Sequence, residues 1–447
     1  MKTVFSRRTY EYFSDFFGQQ YFKFIVCVAH TFFFGIAVAM SWTSPVLSKL
    51  SETEDNPLGE PITPDQSDLI GSLLYIGAAI GPILFIPAAE YFGRKNVLLI
   101  LSVIPPLTYG TFAFAKVVEL YYVCRILQGV YMGGSLSVQP VYVAEILSNE
   151  ERDFYMSLGT MFGFSGLLVV YAVGPFVPLI YFNGFFAIFG VVVVILLAFG
   201  CPETPFFMMK TKGKDATNEL LMLIRQKFDN KEADEIQSTI NNEVRDSFFD
   251  LFSSTKNIKL FIMATMPLLL QQFSGISILL TYSQPIFDKT NISITPAVCS
   301  LIVACFQVST SFLTPALLKS GRFSLRILLL FCLTGMAICN VILALYFFAF
   351  NDTPSLNWLP LLGFVLFVPF YNCGIDPIPW MLLGQIYPRS LSSVGSALST
   401  SIYFLATFPS LFLFSKIETG FLFSYCAFFC CLGIPYVLFI FSEPKNV

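Results

Sequence analysis

Long apolar runs broken by short charged turns dominate this chain of 447 residues. A bilayer-crossing helix takes about 20 apolar residues. By that measure the runs predict spans near 24–46, 68–90, 97–115, 119–144, 156–178, 183–201, 258–280, 297–318, 325–347, 358–383, 393–414 and 421–441. The turns between them repeat. Gly93-Arg94 returns as Gly321-Arg322, Glu145-Ile146 as Gln385-Ile386, and Pro202-Glu203 as Ser442-Glu443. Each turn holds the same place relative to its flanking runs, so the pattern predicts an all-α membrane protein of twelve transmembrane helices in two six-helix pseudo-repeats. Two repeats facing each other across a bilayer suit alternating access.

The polar stretches set the boundaries: a segment 1–23, a first half 24–201, a linker 202–257, a second half 258–441 and a tail 442–447. Leu220, Leu221, Leu223, Ile224 and Phe228 recur at helical spacing, so the linker is expected to form short amphipathic helices, either as a plain connection or as a latch bracing both halves. Numbering the connections alternately puts Arg94, Lys95, Arg152, the basic residues of the linker, Arg322, Arg326 and Arg389 on one side, against Lys49, Lys116, Lys289 and Lys416 on the other. By the positive-inside rule both termini are cytoplasmic. The sequons at Asn291 and Asn351 fall in the loops this topology makes extracellular, and both are candidate N-glycosylation sites. The run after residue 23 is too long for a cleaved signal and reads as an uncleaved anchor.

Composition agrees with the pattern: 55% of residues are hydrophobic and 12% charged, where a soluble domain carries about 25% charged. The net charge of −3 gives no pull toward nucleic acid. Cysteines scattered singly through apolar segments, apart from the adjacent Cys430 and Cys431, read as packing residues, and the single histidine, His30, has no ligand cluster around it, so neither metal nor cofactor is expected. No nucleophile with a base and no phosphate loop points to an enzyme.

Several polar residues inside the apolar runs need explanation. An arginine within a span costs several kcal/mol unless paired; Arg125 is therefore expected to find Glu145 or Glu90, joining Arg94, Lys95 and Arg152 in a cytoplasmic gating network whose second-half counterparts are Arg322 and Gln385. Adjacent glutamines, Gln271 and Gln272, are costly unless they face a wet cavity or bond across helices. Asp376 must line a cavity or find a donor. It is a hydrogen-bond acceptor at a break made by Pro377 and Pro379, or a proton site.

Glu90-x-x-Gly93-Arg94-Lys95, Arg125-x-x-x-Gly129, Pro140-x-Tyr142-x-x-Glu145, Pro202-Glu203-Thr204-Pro205, Gln271-Gln272-x-Ser274-Gly275 and Pro377-Ile378-Pro379-Trp380 together resemble the signature set of the sugar porter family within the major facilitator superfamily. Ser41-Trp42-Thr43-Ser44-Pro45 and Asp68-Leu-Ile-Gly71-Ser72-Leu resemble its insect branch, described as facilitated trehalose transporter-like. The resemblance implies a plasma-membrane carrier with a sugar site between the halves. Its candidate residues are Gln271, Gln272, Ser277, Tyr282, Gln307, Asn372 and Trp380, with the glutamine amides facing sugar hydroxyls and Trp380 offering an apolar face. Ser277, Thr281 and Gly163 depart from the residues usual at those positions, Gln385 replaces a glutamate, and Asp376 stands where glycine is usual. The first span holds no carboxylate, which favours facilitative uniport over proton coupling. The alternatives are a non-transporting sugar receptor of the same fold and a proton-coupled carrier of a sugar or other polar solute; no obligate protein partner is implied.

Overall fold

The computed structural model describes residues 7–53, 56–148, 151–226, 230–241, 248–311, 324–351, 353–388 and 390–441, so Arg322, Arg389 and the 442–447 tail lie outside the described residues. The fold is all-helical with twelve membrane-crossing elements. In the first half these are Tyr21–Ser41 continuing as Thr43–Leu50, Pro64–Phe92, Arg94–Ser102 with Ile104–Phe114, Val118–Ile146, Arg152–Val173 and Leu179–Gly200. In the second they are Thr255–Phe273 with Ile276–Asp288, Pro296–Thr310, Leu325–Leu345, Leu359–Phe370 with Pro377–Ile386, Ser392–Phe412 and Thr419–Phe439. Nine helical stretches among the described residues are long and apolar enough to cross a membrane by themselves. Three spans are not among them: the eighth, Pro296–Thr310, is described over only 15 residues, and the fourth and eleventh carry inward-facing polar residues such as Arg125, Gln128 and Gln139, or Ser399, Thr400 and Ser401, all buried.

Two spans are broken at mid-depth. The seventh stops at Phe273 and restarts at Ile276, because Gly275 takes a φ of 101° that a side chain would resist. The carbonyl freed at Ser274 is taken by Asn340 Nδ2 at 3.0 Å, as a bilayer interior requires. The tenth span widens over Tyr371–Ile375 into a π turn ahead of Pro377, and Asp376 N–H reaches back to Tyr371 O at 3.0 Å. Proline supplies no N–H and crowds the preceding turn, so a widened turn here has a local cause.

The linker forms the helices Pro205–Lys212, Lys214–Arg225 and Asn230–Asn241, which share a small apolar cluster of Met209, Leu221, Ala233 and Ile236. Ser14 ties them to the N-terminal helix Arg7–Phe17, donating to Leu223 O at 2.9 Å and accepting from Gln226 Nε2 at 2.7 Å. Beside them Glu203 accepts from the backbone N–H groups of Lys95 at 3.1 Å and Thr204 at 2.9 Å. It thereby caps the start of the third span, where a helix carries partial positive charge. Gly93, with φ 98°, makes room: a Cβ there would strike the Glu203 carboxylate.

The halves meet along a seam that is heavily bonded on the face opposite the chain ends, called distal below. There the buried Asp68 of the second span accepts from Ser415 N–H at 3.1 Å and Ser415 Oγ at 2.6 Å. Ser48 donates to Asp288 at 3.1 Å, Gln284 N–H to Ser44 Oγ at 3.0 Å, and Tyr171 to Leu280 O at 2.9 Å. The Tyr282 ring stacks on Phe414 at 4.0 Å, and its hydroxyl sits where a side chain at Gly71 would be. The exposed Lys416–Asp65 pair at 3.3 Å adds little. On the terminal face, Ser393 Oγ donates across the seam to Glu90 at 3.3 Å.

Two predictions follow from these contacts. Burial pushes the Glu203 carboxyl above its ordinary 4.5, with the Thr204 and Lys95 N–H groups pulling it partly back. An acid whose folded-state value is raised binds its proton more tightly when folded, so ionising it removes stability as pH climbs through that window. The Tm of the wild type minus that of Glu203→Gln therefore shrinks from acidic pH toward neutrality in a thermal-shift series; a gap that widens instead would contradict this reading. Asp68→Asn replaces a carboxyl that accepts from two Ser415 donors with a weaker acceptor, a change worth about 1.5–3 kcal/mol. Labelling of a Ser44→Cys reporter by an impermeant maleimide from the distal face should then speed up about tenfold or more, and an unchanged rate would remove Asp68 from the seal.

Candidate functional site

The broken seventh and tenth spans set polar side chains against each other inside the second half. Gln271 Nε2 donates to Tyr371 OH at 2.7 Å and more weakly to Asp376 Oδ1 at 3.4 Å. Ser277 Oγ donates to Gln272 Oε1 across the break. What remains is one amide atom on each glutamine: Gln271 Oε1, an acceptor, and Gln272 Nε2, a donor, both buried with no hydrogen-bond partner. Such atoms cost about 1–3 kcal/mol each when nothing meets them. Ser401 Oγ, on the eleventh span, is a third buried atom in the same condition. Trp380 is half-buried and meets Tyr403 edge-on at 5.2 Å, leaving ring surface open.

The other candidate substrate residues sit differently. Asn372 Nδ2 points to the eighth span, donating to Gln307 O at 2.9 Å and Thr310 Oγ1 at 2.8 Å; both residues are buried, and Gln307 takes part through its backbone. Tyr282 is a correction. Its hydroxyl donates to Leu411 O at 3.1 Å and its ring is wedged into the distal seam, because the chain leaves helical geometry there with φ −121° and ψ 23° and turns the ring toward Gly71. Gly163 on the fifth span leaves space: a Cβ there would meet Phe33 O at 3.8 Å and nothing nearer.

The expected charge network also divides. Arg94 Nη2 pairs with Glu145 Oε1 at 3.0 Å, both largely shielded from solvent, joining the third and fourth spans within one half. Lys95 turns away from them, donating to Tyr10 OH and to Ala198 O at 3.0 Å. Arg152 opens the fifth span with its Nε buried and, among the described residues, without a partner. Gln385 is exposed at the end of the tenth span, and Glu90 alone of these residues has a described bond to the other half, the one to Ser393.

Arg125 is the second correction. It lies twenty residues from Glu145 on a helix that carries Pro140 between them, about 30 Å along the axis, and among the described residues it meets no carboxylate. Its guanidinium is fully buried and donates to Ala39 O at 2.7 Å, Ile70 O at 2.9 Å and Gln128 Oε1 at 3.0 Å, with Trp42 at 5.5 Å across its face. Carbonyl oxygens exposed by the packing of the first and second spans substitute for the expected acid. One guanidinium nitrogen, Nη2, is buried without a hydrogen bond among the described residues. His30 has a partner on each ring nitrogen, Tyr155 O at 2.8 Å and Gln139 Nε2 at 3.1 Å. With Nε2 facing a carbonyl and Nδ1 facing an amide N–H, the ring is neutral.

Sequence reasoning missed Tyr371, the partner of Gln271, and Ser401. Tyr371 had a readable signal, a phenol five residues before Asp376 in an apolar span. Ser401 had none, lying in a run of small hydroxyl residues.

Residues 30–447 match the family model described as Sugar (and other) transporter. Facilitated trehalose transporter Tret1 of Polypedilum vanderplanki is 26% identical over 429 residues, covering 92% of this chain and 83% of that protein. Its Bombyx mori namesake is 28% identical over 433 residues, covering 92% and 82%. The Aedes aegypti Tret1 is 27% identical over 431 residues, 92% of this chain but 52% of that longer protein. Among solved structures, the partially occluded inward open conformation of the xylose transporter XylE from E. coli superposes with a TM-score of 0.77 at 19% identity, covering 96% of this chain and 99% of that one. A crystal structure of the D-xylose-proton symporter gives 0.72 at 18% identity, covering 96% and 99%. With a family model matching nearly its whole length, and a fold shared with these structures, the chain belongs to the Sugar (and other) transporter family.

Proposed function

We propose that the chain is a facilitative carrier that moves a sugar across the plasma membrane by alternating access, with both chain ends in the cytoplasm. The observation that carries this reading is the pair of buried, unmet amide atoms, Gln271 Oε1 and Gln272 Nε2, on adjacent residues of a broken span. A polyol offers what they lack, since each hydroxyl both donates and accepts. The half-open ring of Trp380 supplies an apolar face for the C–H side of a sugar. Relatives named as facilitated trehalose transporters support the solute class and the passive mode.

Uniport is further supported by the company of Arg125. Its partners are two backbone carbonyls and an amide, none of which titrates, and His30 is held neutral by its own bonds. The first span thus offers no group whose protonation would be tied to the bound solute. The bonded distal seam supports a conformation closed toward the outside, with Tyr282 as a plug between the second, seventh and eleventh spans.

The test is uptake of labelled glucose and trehalose into proteoliposomes holding the purified protein. Saturable flux of at least one sugar is expected, reduced about tenfold or more by Gln271→Ala, the loss of one buried polar contact, and unchanged by an imposed pH gradient. Binding of sugar without flux would support a receptor instead. Flux that follows the gradient would overturn uniport.

A further inference from the structure

We propose that Asp376 is a specificity-determining positioning residue: its carboxylate fixes the Gln271 amide so that only the carbonyl oxygen faces the substrate. The site then demands a donating hydroxyl at Gln271 and an accepting hydroxyl at Gln272. The inference rests on the sugar reading above and narrows it to a polyol with two neighbouring hydroxyls used in opposite senses.

An amide has two chemically different ends, and a glutamine in a roomy site is free to turn either one toward a ligand. Gln271 is not free. Its NH₂ end is engaged by Tyr371 OH at 2.7 Å and Asp376 Oδ1 at 3.4 Å. The Tyr371 hydroxyl lies beside the same carboxylate, and, since an ionised carboxylate only accepts, the phenol gives its proton there and keeps its oxygen for the Gln271 N–H. Turning the amide over would set Oε1 against a carboxylate oxygen and a phenol whose proton is already committed. Acceptor would face acceptor at both contacts, so one orientation is held.

The backbone explains why these groups converge. Tyr371 and Asp376 are five residues apart on a widened turn, whose pitch brings such a pair to the same side of the helix. Asp376 N–H bonds to Tyr371 O at 3.0 Å, which locks that register. On the neighbouring residue the polarity is reversed. Ser277 Oγ donates to Gln272 Oε1, so the end left over is the donor Nε2. The two unmet atoms are therefore an acceptor and a donor on consecutive residues, and a substrate must match that order.

Replacing hydroxyls by fluorine separates the two roles, because fluorine accepts weakly and never donates. Competition against labelled glucose uptake in proteoliposomes would be measured for the monodeoxy and monodeoxyfluoro glucoses at each ring position. In the wild type, one position should show fluoro and deoxy analogues equally weak, each about tenfold below glucose, the scale of one lost hydrogen bond. At another position fluorine should restore most of the loss. In Asp376→Asn the side chain can present its own NH₂ to Gln271 and let the amide turn. The fluoro analogue at the first position should then outcompete the deoxy by about fivefold. Asp376→Ala, which removes the carboxylate outright and frees the Tyr371 hydroxyl to donate to a turned amide, should move the same ratio and serves where Asp376→Asn folds poorly. If Asp376 merely braces the turn, all analogues weaken together and the fluoro-to-deoxy ratios stay as in the wild type, which overturns the inference while leaving the sugar reading intact. Absence of glucose and trehalose uptake by the wild type overturns both.

Discussion

The constraint on which the rest of this structure depends is that a bilayer interior supplies no water, so every polar group must find its partner within the protein. The breaks in the seventh and tenth spans are the costly points, because each frees backbone groups. Asn340 answers the loose carbonyl of Ser274, and the Asp376 N–H reaches back five residues to Tyr371. Once these are settled, the buried side-chain atoms still unmet near the breaks are few. Gln271 Oε1 and Gln272 Nε2 stand out because the partners of each amide, Tyr371 and Asp376 for the first and Ser277 for the second, take one end and leave the other bare.

Charge obeys the same rule in several ways, and the way chosen separates the roles. Arg94 and Glu145 neutralise each other near the terminal face and stiffen one half. Asp68, fully buried, is instead met by a hydroxyl and an N–H of Ser415 across the seam, contacts that separate when the halves part. Arg125 is met by carbonyls and an amide of its own half, which hold it whichever way the halves are tilted. A cation with neutral, non-titrating partners anchors the packing of the first, second and fourth spans and leaves no proton to move.

The span pattern, the repeat and the motif order were legible in the sequence because they depend on period and composition, which the bilayer enforces locally. The glutamine pair was legible for the same reason: two amides in an apolar run demand an explanation wherever they point. The partner of Arg125 was not. Sequence supplies a list of carboxylates, whereas the answer was backbone carbonyls at Ala39 and Ile70, and every residue has one of those. Tyr282 was misplaced for a related reason. Its neighbours in sequence lie close to the glutamine pair, but a departure from helical φ and ψ at that residue turns its ring into the seam, and nothing in the residue type announces such a turn.

The short helix Ile276–Asp288 joins the two regions. Its first turn holds Ser277, bonded to Gln272 at the unmet amide, and its later turns hold Leu280, Gln284 and Asp288, bonded across the seam to Tyr171, Ser44 and Ser48. At its start Gly275 uncouples it from the rest of the seventh span, with a backbone angle that costs glycine little. Helical geometry fails inside it at Tyr282, so the turn bearing Ser277 and the end bearing Gln284 and Asp288 meet at a kink. A solute that engaged Gln272 would compete for the bonds that fix this helix at one end, while the distal contacts fix it at the other. Occupancy and closure would then be linked through one short segment that bends at Tyr282, and the differential contacts that any ligand-driven shift requires are located there.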